Sequence, residues 1–129
     1  MVPLEVLDGQ RVKVLIVEDE FFIREDLADQ LRGLGFEVIE TASADDALQY
    51  IGSGERIDVL VTDIQMPGDL DGLALAERLR AEQPMLPIVV ASGNVALESV
   101  ASRVGKFVSK PYDPKRIGKL IAEILGMTL

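Results

Sequence analysis

The 129-residue chain contains no cysteine and no histidine. Without cysteine there are no disulfides and no thiolate metal sites, and without histidine the usual imidazole base and zinc ligand are missing. Positive charge is scarce: 13 lysines and arginines face 22 aspartates and glutamates, a formal net charge of −9. That balance argues against direct nucleic-acid binding, which draws on a basic surface to neutralise phosphates. No apolar run approaches the roughly 18 residues needed to span a bilayer, and the N-terminus lacks a signal-peptide pattern. No membrane insertion is therefore expected, and a cytoplasmic location is the default. Any chemistry must run on carboxylates, hydroxyls, lysine and a hard metal ion.

What is present is ordinary for a globular domain, 48 % hydrophobic and 27 % charged residues, enough for one domain with a real core. Residues 1–10 are unpatterned and read as an N-terminal extension, with a single domain over 11–129. Val12 to Val17 is a buried strand ending in Glu18-Asp19-Glu20. Ile23, Leu27, Leu31 and Leu34 recur at helical spacing, with Arg24, Glu25 and Asp29 placed on the other side and Gly35 as a left-handed stop. Phe36 to Glu40 alternates as a strand. Ser43 followed by Asp46 resembles a capping box opening a helix through Ala47, Leu48 and Ile51.

A second buried strand, Val59-Leu60-Val61, delivers Asp63 to its C-terminal end, after which Pro67-Gly68 marks a turn. Asp71 then caps a helix carrying Leu73, Ala76 and Leu79. Ile88 to Ala91 is a strand ending at Ser92, and Leu97, Val100, Ala101 and Val104 form a short helical stripe. Lys106 to Ser109 is the fifth strand, ending at Lys110-Pro111. Asp113 with Pro114 starts the last helix, which Gly126 closes. Five strands alternating with five helices make a (βα)5 pattern, an α/β doubly wound parallel sheet.

In such a sheet the C-terminal strand ends converge, and ligands bind there. The polar residues they carry are Glu18 and Asp19, Asp63, Ser92 and Lys110. Three carboxylates in one place repel unless a cation sits among them. An all-oxygen set suits a hard ion, Mg2+ or Mn2+ in its place. A metal, an ammonium and a hydroxyl around a carboxylate form a cage for a phosphoryl group, and carboxylates can be nucleophiles that form acyl phosphates.

The motifs Glu18-Asp19, Asp63-Ile64-Gln65-Met66-Pro67-Gly68, Ala91-Ser92-Gly93 and Lys110-Pro111, in that order at strand ends, resemble the receiver domain of two-component response regulators. The resemblance runs from about Arg11 to Leu125. It implies a flavodoxin-like strand order 2-1-3-4-5 and a phosphoacceptor role for Asp63, charged from a sensor histidine kinase or a histidine phosphotransfer protein. By the same resemblance Asp19 binds Mg2+ directly, Glu18 acts mainly through water, and the backbone carbonyl of Gln65 completes the protein ligands. Ser92 bonds the phosphoryl group, Lys110 pairs with it, and the Lys110–Pro111 peptide is cis. Phe107 occupies the aromatic switch position. Gln65 and Asn94 take the positions that tune acyl-phosphate lifetime, although Asn94 reads equally well as a helix cap.

Two lengths depart from the family pattern. The segment from Asp63 to Asp71 looks one residue longer than the commonest receiver loop. Ser92 and Lys110 are only eighteen positions apart, about one helical turn fewer than in the chemotaxis receiver. The fourth helix is therefore expected to be short or irregular, and the usual dimer geometry does not carry over. The expected output is contact with a downstream protein target, with a homodimer as one form of it. The chain reads as a stand-alone receiver, the alternative being one cut from a hybrid histidine kinase or a larger regulator. A haloacid-dehalogenase-like phosphatase would need an acid two positions after the aspartate, where this chain has Gln65. A flavodoxin-like cofactor binder would want a phosphate loop where Glu18-Asp19-Glu20 stands.

Overall fold

The computed structural model describes residues 11–65 and 71–128. The extension at residues 1–10, the Pro67-Gly68 turn and the loop-length departure before Asp71 lie outside the described residues. Ten regular elements alternate: β1 Lys13–Val17, α1 Phe21–Gly33, β2 Glu37–Thr41, α2 Ala44–Gly52, β3 Val59–Asp63, α3 Gly72–Glu82, β4 Ile88–Ser92, α4 Glu98–Ala101, β5 Lys106–Ser109 and α5 Pro114–Leu125. The strands form one sheet in the order β2-β1-β3-β4-β5, and every pairing is parallel.

The alternation of side chains along each strand divides the core into two layers. Val14 and Ile16 of β1, with Val59 and Val61 of β3, face Leu27 and Leu31 of α1 and Ile117 and Ile121 of α5. Leu15 and Val17, with Leu60 and Val90, face Ala47 of α2, Leu75 and Leu79 of α3 and Ala101 of α4. Because β1, β3 and β4 are covered on both faces, they read as continuous apolar runs.

The helix starts follow their capping residues. Ser43 accepts from the Asp46 amide, Asp71 from Ala74 and Asp113 from Lys115, which supplies each first turn with a partner for an otherwise unpaired N–H. Gly35 and Gly126 adopt positive φ values of 102° and 66° after α1 and α5, the left-handed stops that glycine accepts without a Cβ penalty.

One boundary differs from the sequence-based expectation. β2 begins at Glu37, where pairing with Lys13 starts, and Phe36 is buried at its entry. The stripe Leu97-Val100-Ala101-Val104 is short and irregular, as expected. Val95–Leu97 form a 3-10 turn, α4 adds four residues, and the chain then tightens so that the Val104 and Gly105 amides both donate to the Ala101 carbonyl. Ala101 and Val104 are buried, whereas Val100 faces solvent. The short span between β4 and β5 goes with this shortened helix, in line with its residue count.

Candidate functional site

The parallel register sets the site. Asp63 pairs with Ala91 and Ser92 with Ser109, so the ends of β3, β4 and β5 lie along one edge with the end of β1. The Lys110 amide donates to the Ser92 carbonyl (2.9 Å), which ties the chain after β5 to the end of β4. Lys110–Pro111 is a cis peptide, as the resemblance implied.

Glu18 and Asp63 are 3 % and 8 % exposed, and Ser92 is 1 % exposed. Buried charges need partners, and one ammonium serves both carboxylates. Lys110 Nζ donates to Glu18 Oε1 at 2.5 Å and to Asp63 Oδ2 at 3.0 Å. Burial pushes the Glu18 carboxyl above its ordinary value, and the Lys110 contact only partly offsets this. Burial alone would lower the Lys110 ammonium, but its bonds to Glu18 and Asp63 outweigh that and raise it.

Glu18 also organises the turn into α1. Its Oε2 accepts from the Glu20 amide (3.2 Å), and its own amide donates to the Thr41 carbonyl (3.1 Å). Asp19 projects beside it into solvent. Oxygens of Glu18, Asp19 and Asp63 lie within 4.8 Å of one another. Three carboxylates at that spacing, in a chain without cysteine or histidine, can hold a metal ion, and a hard oxygen-seeking cation fits the donor set.

The remaining sequence candidates sit as follows. Ser92 Oγ accepts from the Asn94 amide (3.0 Å). Asn94 is a cap, its side chain accepting from Ala96. The Gln65 side chain is exposed, and Phe107 is half-buried against the core layer that holds α2, α3 and α4. The edge therefore gathers Glu18, Asp19, Asp63, Ser92 and Lys110, with Phe107 set back along β5.

Sequence periodicity misplaced Arg24. It does not lie with Glu25 and Asp29 on the solvent side: its side chain is 16 % exposed, and it donates to the Glu18 carbonyl at 2.8 Å. Three other neighbours of the site were not singled out. Thr62 Oγ1 donates to the Asp63 carbonyl at 3.0 Å. Gly72 packs so closely that a Cβ would lie 1.6 Å from the Asp63 carbonyl oxygen. Tyr112 stands two residues past Lys110, and burial, reinforced by Glu18 and Asp63, pushes its phenol well above the ordinary range. An aromatic directly after Lys110-Pro111 was a visible signal, and so was a glycine directly after the Asp71 cap.

Comparison with known proteins agrees with this geometry. The protein named "Probable transcriptional regulator ycf27" from Cyanophora paradoxa is 35 % identical over 126 residues, covering 95 % of this chain and 52 % of that protein. The chain spans about half the length of curated relatives such as this one. A response regulator receiver protein from Sinorhizobium medicae superposes with a TM-score of 0.82 at 26 % identity, covering 89 % of this chain and 94 % of that one. The response regulator TrrA from Thermotoga maritima, solved in complex with Mg2+ and BeF, superposes with a TM-score of 0.79 at 25 % identity, covering 88 % and 98 %. The family model described as the response regulator receiver domain matches residues 14–122, and the chain belongs to that family.

Proposed function

We propose that the domain, taken as residues 11–129, accepts a phosphoryl group on Asp63 from a phosphohistidine of a sensor histidine kinase or a histidine phosphotransfer protein. The observation that carries this reading is the placement of Lys110 between two buried carboxylates, with Asp19 completing an all-oxygen cation cluster beside them. In the transfer, an Asp63 carboxylate oxygen attacks phosphorus, the N–P bond breaks, and the imidazole leaves with the electron pair and takes up a proton. In the discharge step, water attacks phosphorus, the P–O bond to Asp63 breaks, the Asp63 carboxylate leaves with the electron pair, and inorganic phosphate departs with the proton balance taken by solvent. The chain is thus a signalling domain rather than a turnover enzyme on an external substrate.

Asp19 and Asp63, with Glu18 and the Gln65 backbone carbonyl, are the residues that would hold Mg2+, or Mn2+ in its place. Bound there, the ion would offset charge on the transferring phosphoryl group. Lys110 moves from its shared contact with Glu18 onto a phosphoryl oxygen. Ser92 uses its hydroxyl as an acceptor from Asn94, so its proton is available to a phosphoryl oxygen. Moving Ser92 biases Phe107 and the segment around Asn94, the face read by a downstream protein or by a second copy of the domain. Asn94 and Gln65 would set the acyl-phosphate lifetime through their side chains at the mouth, and Pro111 fixes the loop behind Lys110. The reading places the domain in the cytoplasm without direct contact to nucleic acid. Among the described residues no helix is long and apolar enough to cross a membrane.

The test is incubation with acetyl phosphate and Mg2+, followed by intact mass. The expected result is a gain of one phosphoryl group in the native chain and none in Asp63→Asn. No gain, or a gain that survives Asp63→Asn, overturns the reading. A second reading draws on the length of the relatives, twice that of this chain. In it the domain governs a linked transcriptional output, as the name of the Cyanophora paradoxa protein suggests for that protein.

A further inference from the structure

We infer that Arg24 is a positioning residue for the cation-binding turn: by holding the Glu18 carbonyl it orients the peptide that carries Asp19. The inference rests on the assignment of Glu18 and Asp19 to a divalent cation. The Glu18 carbonyl belongs to the Glu18–Asp19 peptide, so its bond from Arg24 at 2.8 Å fixes the plane from which Asp19 projects. The next peptide is restrained as well, because the Glu20 amide donates to Glu18 Oε2 at 3.2 Å. Asp19 is therefore bracketed by two anchored peptides, while its own side chain makes no hydrogen bond or ion pair to another described residue. An exposed aspartate with no partner would otherwise sample many orientations, and ligand groups gain affinity when their orientation is set beforehand.

Arg24 could instead serve only to tie α1 to β2 through Glu40. The distances favour the other role. Arg24 Nε lies 3.6 Å from Glu40 Oε1, beyond hydrogen-bonding range, and Glu40 has a closer partner in Arg32 at 2.9 Å. The Glu18 carbonyl receives the shorter bond, and it comes from a side chain largely withdrawn from water. A guanidinium suits this task because its planar fork can face both acceptors at once, whereas a lysine ammonium is a single point.

The experiment is calorimetric titration of the purified chain with MgCl2, comparing the native protein with Arg24→Met, Arg24→Lys and Glu40→Gln. Arg24→Met keeps the apolar stem, and its Mg2+ dissociation constant should rise about tenfold or more, the usual cost of losing an orienting partner behind a metal ligand. Glu40→Gln should stay within about twofold of native, since it weakens only the Glu40 pairs with Arg32 and Arg24 and leaves the Arg24 bond to the Glu18 carbonyl in place. Arg24→Lys should fall between native and Arg24→Met. In phosphorylation by acetyl phosphate, the Mg2+ concentration for half-maximal rate should rise in Arg24→Met while the rate at saturating Mg2+ returns to the native value. A purely structural arginine would lower urea stability in EDTA and leave Mg2+ affinity unchanged, and that result in a folded Arg24→Met overturns the inference. Should Arg24→Met not fold, native Mg2+ affinity in Arg24→Lys overturns it instead. A native chain that binds no Mg2+ overturns both this inference and the phosphoacceptor reading. Native binding with unaffected variants overturns this inference alone.

Discussion

Replacing Lys110 by methionine removes one charge and leaves two carboxylates facing each other out of water. Methionine keeps most of the side-chain stem, so the loss is electrostatic rather than a cavity. Each Lys110 contact, at 2.5 and 3.0 Å, is worth on the order of 6 kcal/mol gross at an effective dielectric of about 20. Most of that offsets the cost of keeping the charges dehydrated. Removing one partner of a buried pair costs about 3–5 kcal/mol. Lys110 itself is 18 % exposed, so water can reach the vacated position, and the expected loss for Lys110→Met is about 2–4 kcal/mol.

The assay is urea unfolding, run in EDTA and again with Mg2+. Two further readings separate this cause from generic destabilisation. A bound cation takes over the neutralising role, so the deficit should shrink in Mg2+. Glu18 sits above its ordinary carboxyl value in the folded protein. A raised carboxyl contributes stability below its unfolded value and loses it as pH rises through the folded value. Without Lys110 the folded value climbs further, so the deficit should be largest near neutrality and shrink on acidification as Glu18 takes up its proton. A deficit below about 0.5 kcal/mol in EDTA, the size of an ordinary surface substitution, would refute the reasoning. So would one that is unchanged by both Mg2+ and pH.

Gly72→Ala should destabilise the fold by about 1–3 kcal/mol or more, because the new Cβ must displace the Asp63 carbonyl; urea unfolding gives the loss, and a neutral result would show that α3 can slide at no cost. Tyr112 is neutral in the folded state well above its ordinary value of 10.0. Its contribution is therefore complete below the unfolded value and is lost as pH rises beyond it. Stability of the native chain should fall above about pH 10 by an increment that Tyr112→Phe lacks, and difference titration of tyrosinate absorbance should place that ionisation late. Amide exchange across 94–103 should be fast in the resting domain and change on addition of acetyl phosphate with Mg2+; a change confined to other segments would disconnect that stretch from Asp63.

The parallel sheet made the site readable from sequence. β1, β3 and β4 are buried on both faces and so appear as unbroken apolar runs, and a parallel arrangement sends the residues that follow them to one edge. Caps at Ser43, Asp71 and Asp113 were equally legible, because capping is a bond between near neighbours in the chain. Contacts made across the fold were not. Periodicity assigned Arg24 to the solvent side of α1 by the position of its Cα, but a long side chain can reach back over the turn before it and bury its head. The close approach of Gly72 to the Asp63 carbonyl depends on how α3 docks against β3, and no local pattern encodes that. The sharing of Lys110 between Glu18 and Asp63 joins residues 92 positions apart. Only the convergence of strand ends hinted at it.

The same distinction separates the chemistry from its readout. Around Asp63 the buried charged groups are firmly anchored: Glu18 by Lys110 and the Glu20 amide, Lys110 by two carboxylates and through its amide by Ser92. Beyond Ser92 the anchoring thins. Ser92 Oγ accepts from Asn94, Asn94 caps a single 3-10 turn, and in the four-residue α4 that follows only Ala101 is buried. Segments with so few buried apolar contacts lie at the low end of local stability. Drawing Ser92 toward a phosphoryl oxygen would pull on the Asn94 amide that its hydroxyl accepts from, and the neighbouring turn has little packing to resist. A nearly complete shift, from 1:99 to 99:1, needs about 5.5 kcal/mol of differential interaction, and a weakly held α4 keeps the opposing cost small. On the proposed reading the short fourth helix works in favour of a switch, because a four-residue α4 with one buried side chain is cheap to rearrange.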